Sequence, residues 1–135
     1  MAEPKKPILP SDAELAILGI LWKNKGATAK EIHEALNVGR RAPRVVTTTA
    51  KLLQIMQEKG LVTRDDEIRP HRYRAAVTQR AIQHKVVKKT VTDVFDKSAG
   101  QFILAALESG KPSAAELEEI KAMLADYEER QKNND

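Results

Sequence analysis

Three short segments with the pattern Ser or Thr, two further residues, then Glu constrain this chain most, because each one marks the start of a helix. They lie at residues 11–14, 28–31 and 113–116. In such a capping box the hydroxyl and the carboxylate each accept a hydrogen bond from the other residue's backbone N–H. Apolar residues follow each box at helical spacing, and Gly26 and Gly39 lie where the first two helices should end. The pattern predicts a mainly α-helical fold.

A third helix is predicted from about residue 45 to residue 59, where Gly60 supplies a left-handed cap. After it, residues 61–64 and 71–75 alternate partly between apolar and polar side chains. These two runs flank a segment that contains three acidic residues and a proline, which favour a turn. The pattern predicts a β-hairpin with a charged tip.

Two short helices, a longer third helix and a hairpin, in that order, are typical of a winged helix-turn-helix. We therefore expect residues 11–76 to form a winged helix DNA-binding domain whose wing is a small β-hairpin. Residues 1–10 contain three prolines and two lysines without periodicity, so a mobile N-terminal arm is expected there.

Residues 77–135 are expected to form a helical dimerisation domain. Three amphipathic helices follow the hairpin, and they are too few and too thin to bury their own apolar faces as a free domain. A second copy of the chain is the simplest cover, and a C2 homodimer is the commonest arrangement. The expected dimer interface consists of Phe102, Ile103, Leu107, Leu117, Ile120, Leu124 and Tyr127.

Charge is distributed unevenly along the chain. Residues 1–97 carry 19 Lys or Arg against 11 Asp or Glu, whereas residues 98–135 carry 4 against 8. A basic front half of this kind suggests a polyanionic partner such as DNA. Ordinary solubilising charge explains the same counts equally well.

The start of the third helix combines threonines with a preceding cluster of arginines. On a helical wheel Thr47, Thr48 and Lys51 point outward. The residues predicted to face the core are Val45, Val46, Thr49, Leu52, Leu53 and Met56.

The N-terminal residues of the second helix in a helix-turn-helix enter the major groove, so the outward set is predicted to read bases. The arginines just before the helix are predicted to contact DNA phosphates; they are Arg40, Arg41 and Arg44. Taken singly, threonines at a helix start can be simple caps, and loop arginines are usually just solvated.

Several classes of protein are disfavoured by what the sequence lacks. It has no cysteine, which removes disulfides and thiolate metal sites and suits a reducing cytosol. Its N-terminus has no apolar signal segment, and no stretch approaches the roughly 20 apolar residues of a membrane span. His33, His71 and His84 lack metal-ligand spacing. We expect a cytoplasmic protein that is not an enzyme, needs no metal or cofactor and does not insert into a membrane.

Three stretches together resemble one family of bacterial winged-helix regulators. They are "SDAELAILGILWKNKGATAKEIHEAL", "VTTTAKLLQIMQEKGLVTRD" and "RYRAAV", and the likeness to the penicillinase repressor family covers about residues 8–130. That family includes repressors of β-lactamase, methicillin-resistance and copper-transport genes. The resemblance implies a homodimer that represses transcription from a short inverted-repeat DNA operator.

The resemblance also implies roles for particular residues. The small polar residues that begin the family's recognition helix fall on Thr47, Thr48 and Lys51. The family's wing falls on residues 69–74, where Arg72 and Arg74 are implied as phosphate contacts.

Two departures from the family pattern bear on regulation. Antibiotic-responsive members are inactivated by cleavage of an Asn–Phe bond in the penultimate helix, where this chain has Ala105-Ala106. Copper-responsive members carry C-terminal cysteines, which this chain lacks. An upstream sensor or protease is a further candidate partner. The operator, its half-site spacing and the inducing signal stay open.

The alternative function is a winged-helix protein-interaction module without sequence-specific DNA binding. Such a module should present an apolar or acidic outward face on the third helix. Here that face is made of Thr, Lys and Gln, which favours DNA.

Overall fold

The computed structural model describes residues 9–134, so the predicted arm lies almost entirely outside the described residues. Within this range the chain forms six helices and three short strands, and the predicted mainly α fold with a β-hairpin is confirmed. The elements are α1 (Asp12–Asn24), β1 (Ala27–Thr28), α2 (Ala29–Asn37), α3 (Val46–Glu58), β2 (Val62–Asp65), β3 (Arg72–Ala75), α4 (Gln79–Asp93), α5 (Ala99–Ser109) and α6 (Ala114–Asn133).

All three predicted capping boxes form, at the starts of α1, α2 and α6. At α1, the Ser11 hydroxyl accepts from the Glu14 N–H at 3.2 Å, and Glu14 Oε1 accepts from the Ser11 N–H at 2.8 Å. The same reciprocal pair satisfies two otherwise unpaired backbone donors at each of the other starts. The starts of α1, α2 and α6 are thus set locally.

The predicted hairpin belongs to a three-stranded antiparallel sheet in the order β1-β3-β2. Ala27 of β1 pairs with Tyr73, and Val62 of β2 pairs with Ala75. Gly26 precedes β1 with φ of +111°, and a Cβ there would lie 3.2 Å from the Tyr73 carbonyl oxygen. Gly26 therefore does more than end a helix, because its lack of a side chain lets β1 approach β3.

The core lies where α1, α2 and α3 pack against the sheet. Its fully buried side chains are mostly aliphatic: Ile17, Leu18, Leu21, Ile32, Leu53, Met56 and Val62. Thr49 is also buried, as predicted, whereas the predicted burial of Val45 and Val46 is wrong, because these side chains are 63% and 66% exposed. Val45 precedes α3 in an extended conformation, so helical periodicity does not apply to it, and Val46 is the first residue of the helix.

One ion pair ties the start of α1 to the end of α3. Glu14, only 1% exposed, accepts hydrogen bonds from the Lys59 ammonium at 3.0 and 3.1 Å. Burial alone would raise the pKa of the Glu14 carboxyl, but the Ser11 backbone N–H and the Lys59 ammonium outweigh it and hold that pKa below its ordinary value. The capping acid of one helix is therefore also a tertiary contact.

The chain divides into two compact units between Lys88 and Lys89, inside α4. The predicted domain boundary lies before this helix. The first turns of α4 belong with the winged helix because Ile82 is buried and the Trp22 indole N–H donates to the Val77 carbonyl at 2.9 Å.

The second unit contains the end of α4 with α5 and α6. Phe95 and Phe102 pack edge to face, with ring centroids 5.4 Å apart. No side chain of α5 or α6 is buried. This unit thus has its helices formed but their apolar faces uncovered.

Candidate nucleic-acid interface

The start of α3 differs from the other helix starts because no side chain caps it. Val45 is the N-cap residue, in an extended conformation with φ −82° and ψ 158°, and makes no side-chain cap hydrogen bond. Its carbonyl oxygen accepts from the N–H groups of Thr48 at 3.0 Å and Thr49 at 3.3 Å. The N–H groups of Val46 and Thr47 come before the first such bond, and both residues are exposed. The helix therefore presents the positive end of its dipole outward.

The three consecutive threonines divide between the surface and the interior. Thr47 and Thr48 are exposed in the first turn, whereas Thr49 is 1% exposed and its Oγ1 lies 2.8 Å from His33 Nδ1 of α2. Lys51 is exposed one turn further on, four residues after Thr47 and three after Thr48. Thr47, Thr48 and Lys51 together form an exposed polar surface, here called the reading face.

Positive charge lies next to the reading face without a balancing acid. Arg40 and Arg41 are exposed in the turn between α2 and α3, and Arg44 is half-buried. Among residues 9–134, no acidic group pairs with any of these arginines or with Lys51. The first turn of α3 contains no acid either. This end of the molecule is suited to attract a polyanion.

The turn that carries the arginines is held by Asn37, the last residue of α2. Its Oδ1 accepts from the Arg44 N–H at 2.9 Å, and its Nδ2 donates to the Arg44 carbonyl oxygen at 3.0 Å. The Nδ2 group also lies 3.3 Å from His33 Nε2. The sequence does not predict this contact, since an asparagine at the end of a helix is common and the residues between the partners show no pattern.

The wing residues are more self-paired than the turn between α2 and α3. Arg72 donates to the Gly26 carbonyl at 3.2 Å and lies 3.7 Å from a Glu31 carboxylate oxygen. Arg64 pairs with Asp66, and that hydrogen bond lowers the pKa of the Asp66 carboxyl. Arg74 is exposed on β3.

His71 lies beside the wing tip, half-buried, with Nδ1 3.8 Å from Asp66 Oδ1. In residues 9–134 no three His, Asp or Glu side chains converge as a metal site would require. None of the helices described is long and apolar enough to cross a membrane.

The predicted dimer residues all lie on α5 and α6. Phe102 and Ile120 are half-buried, and the other five are exposed: Ile103, Leu107, Leu117, Leu124 and Tyr127. Leu104 and Met123 are further exposed large apolar side chains on these helices. A monomeric protein rarely leaves so many large apolar side chains of neighbouring helices in water.

Comparison with known proteins places this geometry in context. The family described as penicillinase repressor matches residues 10–126. The methicillin resistance regulatory protein MecI of Mammaliicoccus sciuri is 26% identical over 115 residues, which cover 84% of this chain and 91% of that protein. MecI of Staphylococcus aureus strain N315 is 25% identical with the same coverage.

Among solved structures, MepR, a transcription regulator of the Staphylococcus aureus multidrug efflux pump MepA, aligns with a TM-score of 0.44. It is 24% identical, and the alignment covers 90% of this chain and 79% of that one. A mutant of MepR from a multidrug resistant clinical isolate of the same organism is 23% identical with the same coverage and aligns with a TM-score of 0.41.

Proposed function

Because the chain belongs to the penicillinase repressor family and is thus a DNA-binding transcriptional repressor rather than an enzyme, we propose that it binds a short inverted-repeat operator as a homodimer. One observation carries the proposal for the site. The reading face is exposed at the uncapped start of α3, directly beside arginines that no acid within residues 9–134 balances. As a repressor acts on the chromosome, the protein works in the cytoplasm.

Base readout is assigned to the reading face. In a helix-turn-helix the first residues of the second helix reach the base edges in the major groove. The Thr47 and Thr48 hydroxyls can donate or accept, and their methyl groups can contact a thymine methyl. The Lys51 ammonium can donate to the O6 and N7 of guanine. The short threonine side chains let the helix start approach the bases closely.

Phosphate contacts are assigned first to the arginines of the turn between α2 and α3, Arg40, Arg41 and Arg44. The free N–H groups of Val46 and Thr47 add donors and dipole charge for a phosphate at the helix start. In the wing, exposed Arg74 is the stronger candidate. Arg72 is the weaker one, because a phosphate must compete with Glu31 for its guanidinium.

Dimerisation is assigned to the exposed apolar faces of α5 and α6. A second copy covering these faces in a C2 arrangement removes apolar surface from water and gives two reading faces for one DNA duplex. The two half-sites are then expected about 34–36 Å apart, or a multiple of that distance. An upstream sensor or protease completes the proposed partners; with Ala105-Ala106 in place of Asn–Phe, a protease would cut elsewhere.

Selection of duplexes from a random-sequence library, followed by binding titrations, tests the readout. The double variant Thr48→Ala, Lys51→Ala should lose about 1–3 kcal/mol of preference for the selected duplex over a scrambled one. Arg44→Ala should weaken both duplexes alike and reduce the salt slope by about 1. An unchanged preference in the double variant removes the base-readout assignment. Weak binding to every duplex by the wild type supports the protein-interaction alternative.

Sedimentation at micromolar concentration tests the dimer. Wild type should sediment as a dimer, and Leu124→Glu should yield monomers because it places a charge in the buried interface. Glu118→Gln, a substitution on the same helix outside the predicted interface, is the matched control and should stay dimeric. A monomeric wild type would contradict the assignment.

A further inference from the structure

An uncapped helix start has to be held by something other than its own side chain. Val45 contributes only its carbonyl, and its side chain is mostly exposed. The first turn of α3 therefore has no local cap, and the one buried side chain in it is that of Thr49. The polar contacts that reach this turn come from α2.

The Asn37 side chain forms hydrogen bonds with both backbone groups of Arg44. The Arg44 N–H donates to Oδ1 and the Arg44 carbonyl accepts from Nδ2, at 2.9 and 3.0 Å. A backbone N–H can only donate and a carbonyl can only accept, so these two bonds fix which end of the Asn37 amide is oxygen. Arg44 is thereby fixed at the residue just before the N-cap of α3.

The same contact determines the tautomer of His33. The second N–H of Asn37 Nδ2 points at His33 Nε2, 3.3 Å away, so Nε2 has to accept. The ring proton is then on Nδ1, from which it donates to the buried Thr49 hydroxyl at 2.8 Å. One polar chain thus runs from the interior face of α3 through α2 to the backbone of Arg44.

We propose that Asn37, held by His33, is a positioning residue for DNA binding that places Arg44 for contact with the duplex. The inference rests on the proposed function of Arg44 as a phosphate contact. Neither Asn37 nor His33 needs to touch DNA. Their role is to hold the charged turn in one conformation before DNA arrives, so that less conformational entropy is lost on binding.

The variant Asn37→Ala tests the proposal, and Asn24→Ala is its matched control. Asn24 is likewise the last residue of its helix, and its side chain makes only a local bond to the Ile20 carbonyl at 2.9 Å. Asn37→Ala should lower affinity for the duplex selected by wild type at least tenfold, whereas Asn24→Ala should change it less than twofold. Urea unfolding of both variants shows that the compared samples are folded.

A double-mutant cycle with Arg44→Ala separates positioning from general destabilisation. If Asn37 acts by placing the Arg44 side chain, Asn37→Ala should cost threefold or less in protein that already carries Arg44→Ala. A purely structural role predicts the same tenfold loss in both backgrounds, and that result would overturn the proposal. The sequence preference of the wild type tests the proposed function, and the double-mutant cycle tests the positioning role. A failure of the one can therefore be distinguished from a failure of the other.

Two measurements on the free full-length protein test the polar chain without DNA. Long-range proton–nitrogen NMR correlations should show the His33 proton on Nδ1; a proton on Nε2 would overturn the assignment. Amide exchange at Arg44 should accelerate at least tenfold in Asn37→Ala and stay unchanged in Asn24→Ala. Thr49→Val, which removes only the buried hydroxyl acceptor, should shift the His33 ring signals; unchanged signals would contradict the contact.

Discussion

The starts of α1 and α3 can be compared directly, since both helices have 13 residues and both pack in the same core. Helix α1 begins with a Ser11 capping box and has two acids in its first turn. Helix α3 begins at Val45 with no side-chain cap and no acid, after a turn that contains three arginines. One start is capped by side chains of the chain itself, and the other has no side-chain cap.

Under the proposed function, one helix start contributes to stability and the other to DNA binding. An acid at a helix start stabilises the helix because it opposes the positive end of the dipole. The same acid at α3 would repel DNA phosphates. Through Lys59, which follows the last turn of α3, the acid Glu14 of α1 also stabilises α3, but at the end far from the reading face.

The largest expected effect concerns the ion pair between Glu14 and Lys59, which stabilises the start of α1. Glu14→Gln keeps the size and the capping acceptor but leaves the Lys59 ammonium beside a neutral amide. The free energy of unfolding in urea should fall by about 2 kcal/mol, as for a lost hydrogen bond between charged groups. Glu116→Gln changes the equivalent exposed residue of the α6 box and should have little effect. Equal losses in both variants would show that capping alone matters.

Acid should remove the same contribution. The pKa of Glu14 is lowered in the folded chain, so its contribution is fully present above the ordinary carboxyl pKa and is lost as pH falls through the lowered one. The difference in unfolding free energy between wild type and Glu14→Gln should therefore shrink as the pH is lowered through this range. A difference that stays constant from neutral to strongly acidic pH would contradict the role of the carboxylate.

Giving α3 a cap should separate stability from binding. Val45→Asp supplies both a cap and an acid, so the free energy of unfolding should rise by about 1 kcal/mol. Affinity for the selected duplex should fall about tenfold, because the carboxylate lies among the phosphates. Val45→Ser, the control, should stabilise without the repulsion. DNA binding by the Asp variant as tight as by the Ser variant would refute the phosphate contact at this helix start.

The smallest expected effect concerns the caps themselves. Ser11→Ala should reduce the free energy of unfolding by about 1 kcal/mol, since it removes a cap acceptor. Val45→Ala should change it much less, because Val45 makes no cap bond and is mostly exposed. Chemical denaturation of both variants measures the two free energies of unfolding. Equal decreases in the two variants would contradict the prediction.

Features set by near neighbours in the sequence could be predicted. The capping boxes, the hairpin and the exposure of Thr47, Thr48 and Lys51 follow from spacing over a few residues. Strand β1 was not predicted, since two residues are too few to show a period of two. The burial of Val45 and Val46 was predicted wrongly because the helix begins one residue later than expected, so periodicity does not apply to Val45, and Val46 is the first helical residue.

Contacts between distant residues could not be read from the sequence. Glu14 and Lys59 are 45 residues apart, and Gly26 and Arg72 are 46 apart. Each member has an ordinary local explanation, as a capping acid, a helix-end lysine, a helix-ending glycine or a wing arginine. The packing of α1 against α3 brings the first pair together, and the pairing of β1 with β3 brings the second together. The roles of the reading face and of the arginines in binding DNA stay predictions.

Trp22 is the chain's single tryptophan, and its indole N–H donates a hydrogen bond to the Val77 carbonyl just before α4. The protein therefore contains its own fluorophore at the place where the winged helix passes into the helix that leads to the second unit. Its emission wavelength depends on whether that segment is docked or solvated. An unlabelled sample can thus report on this junction while DNA or a candidate inducer is added.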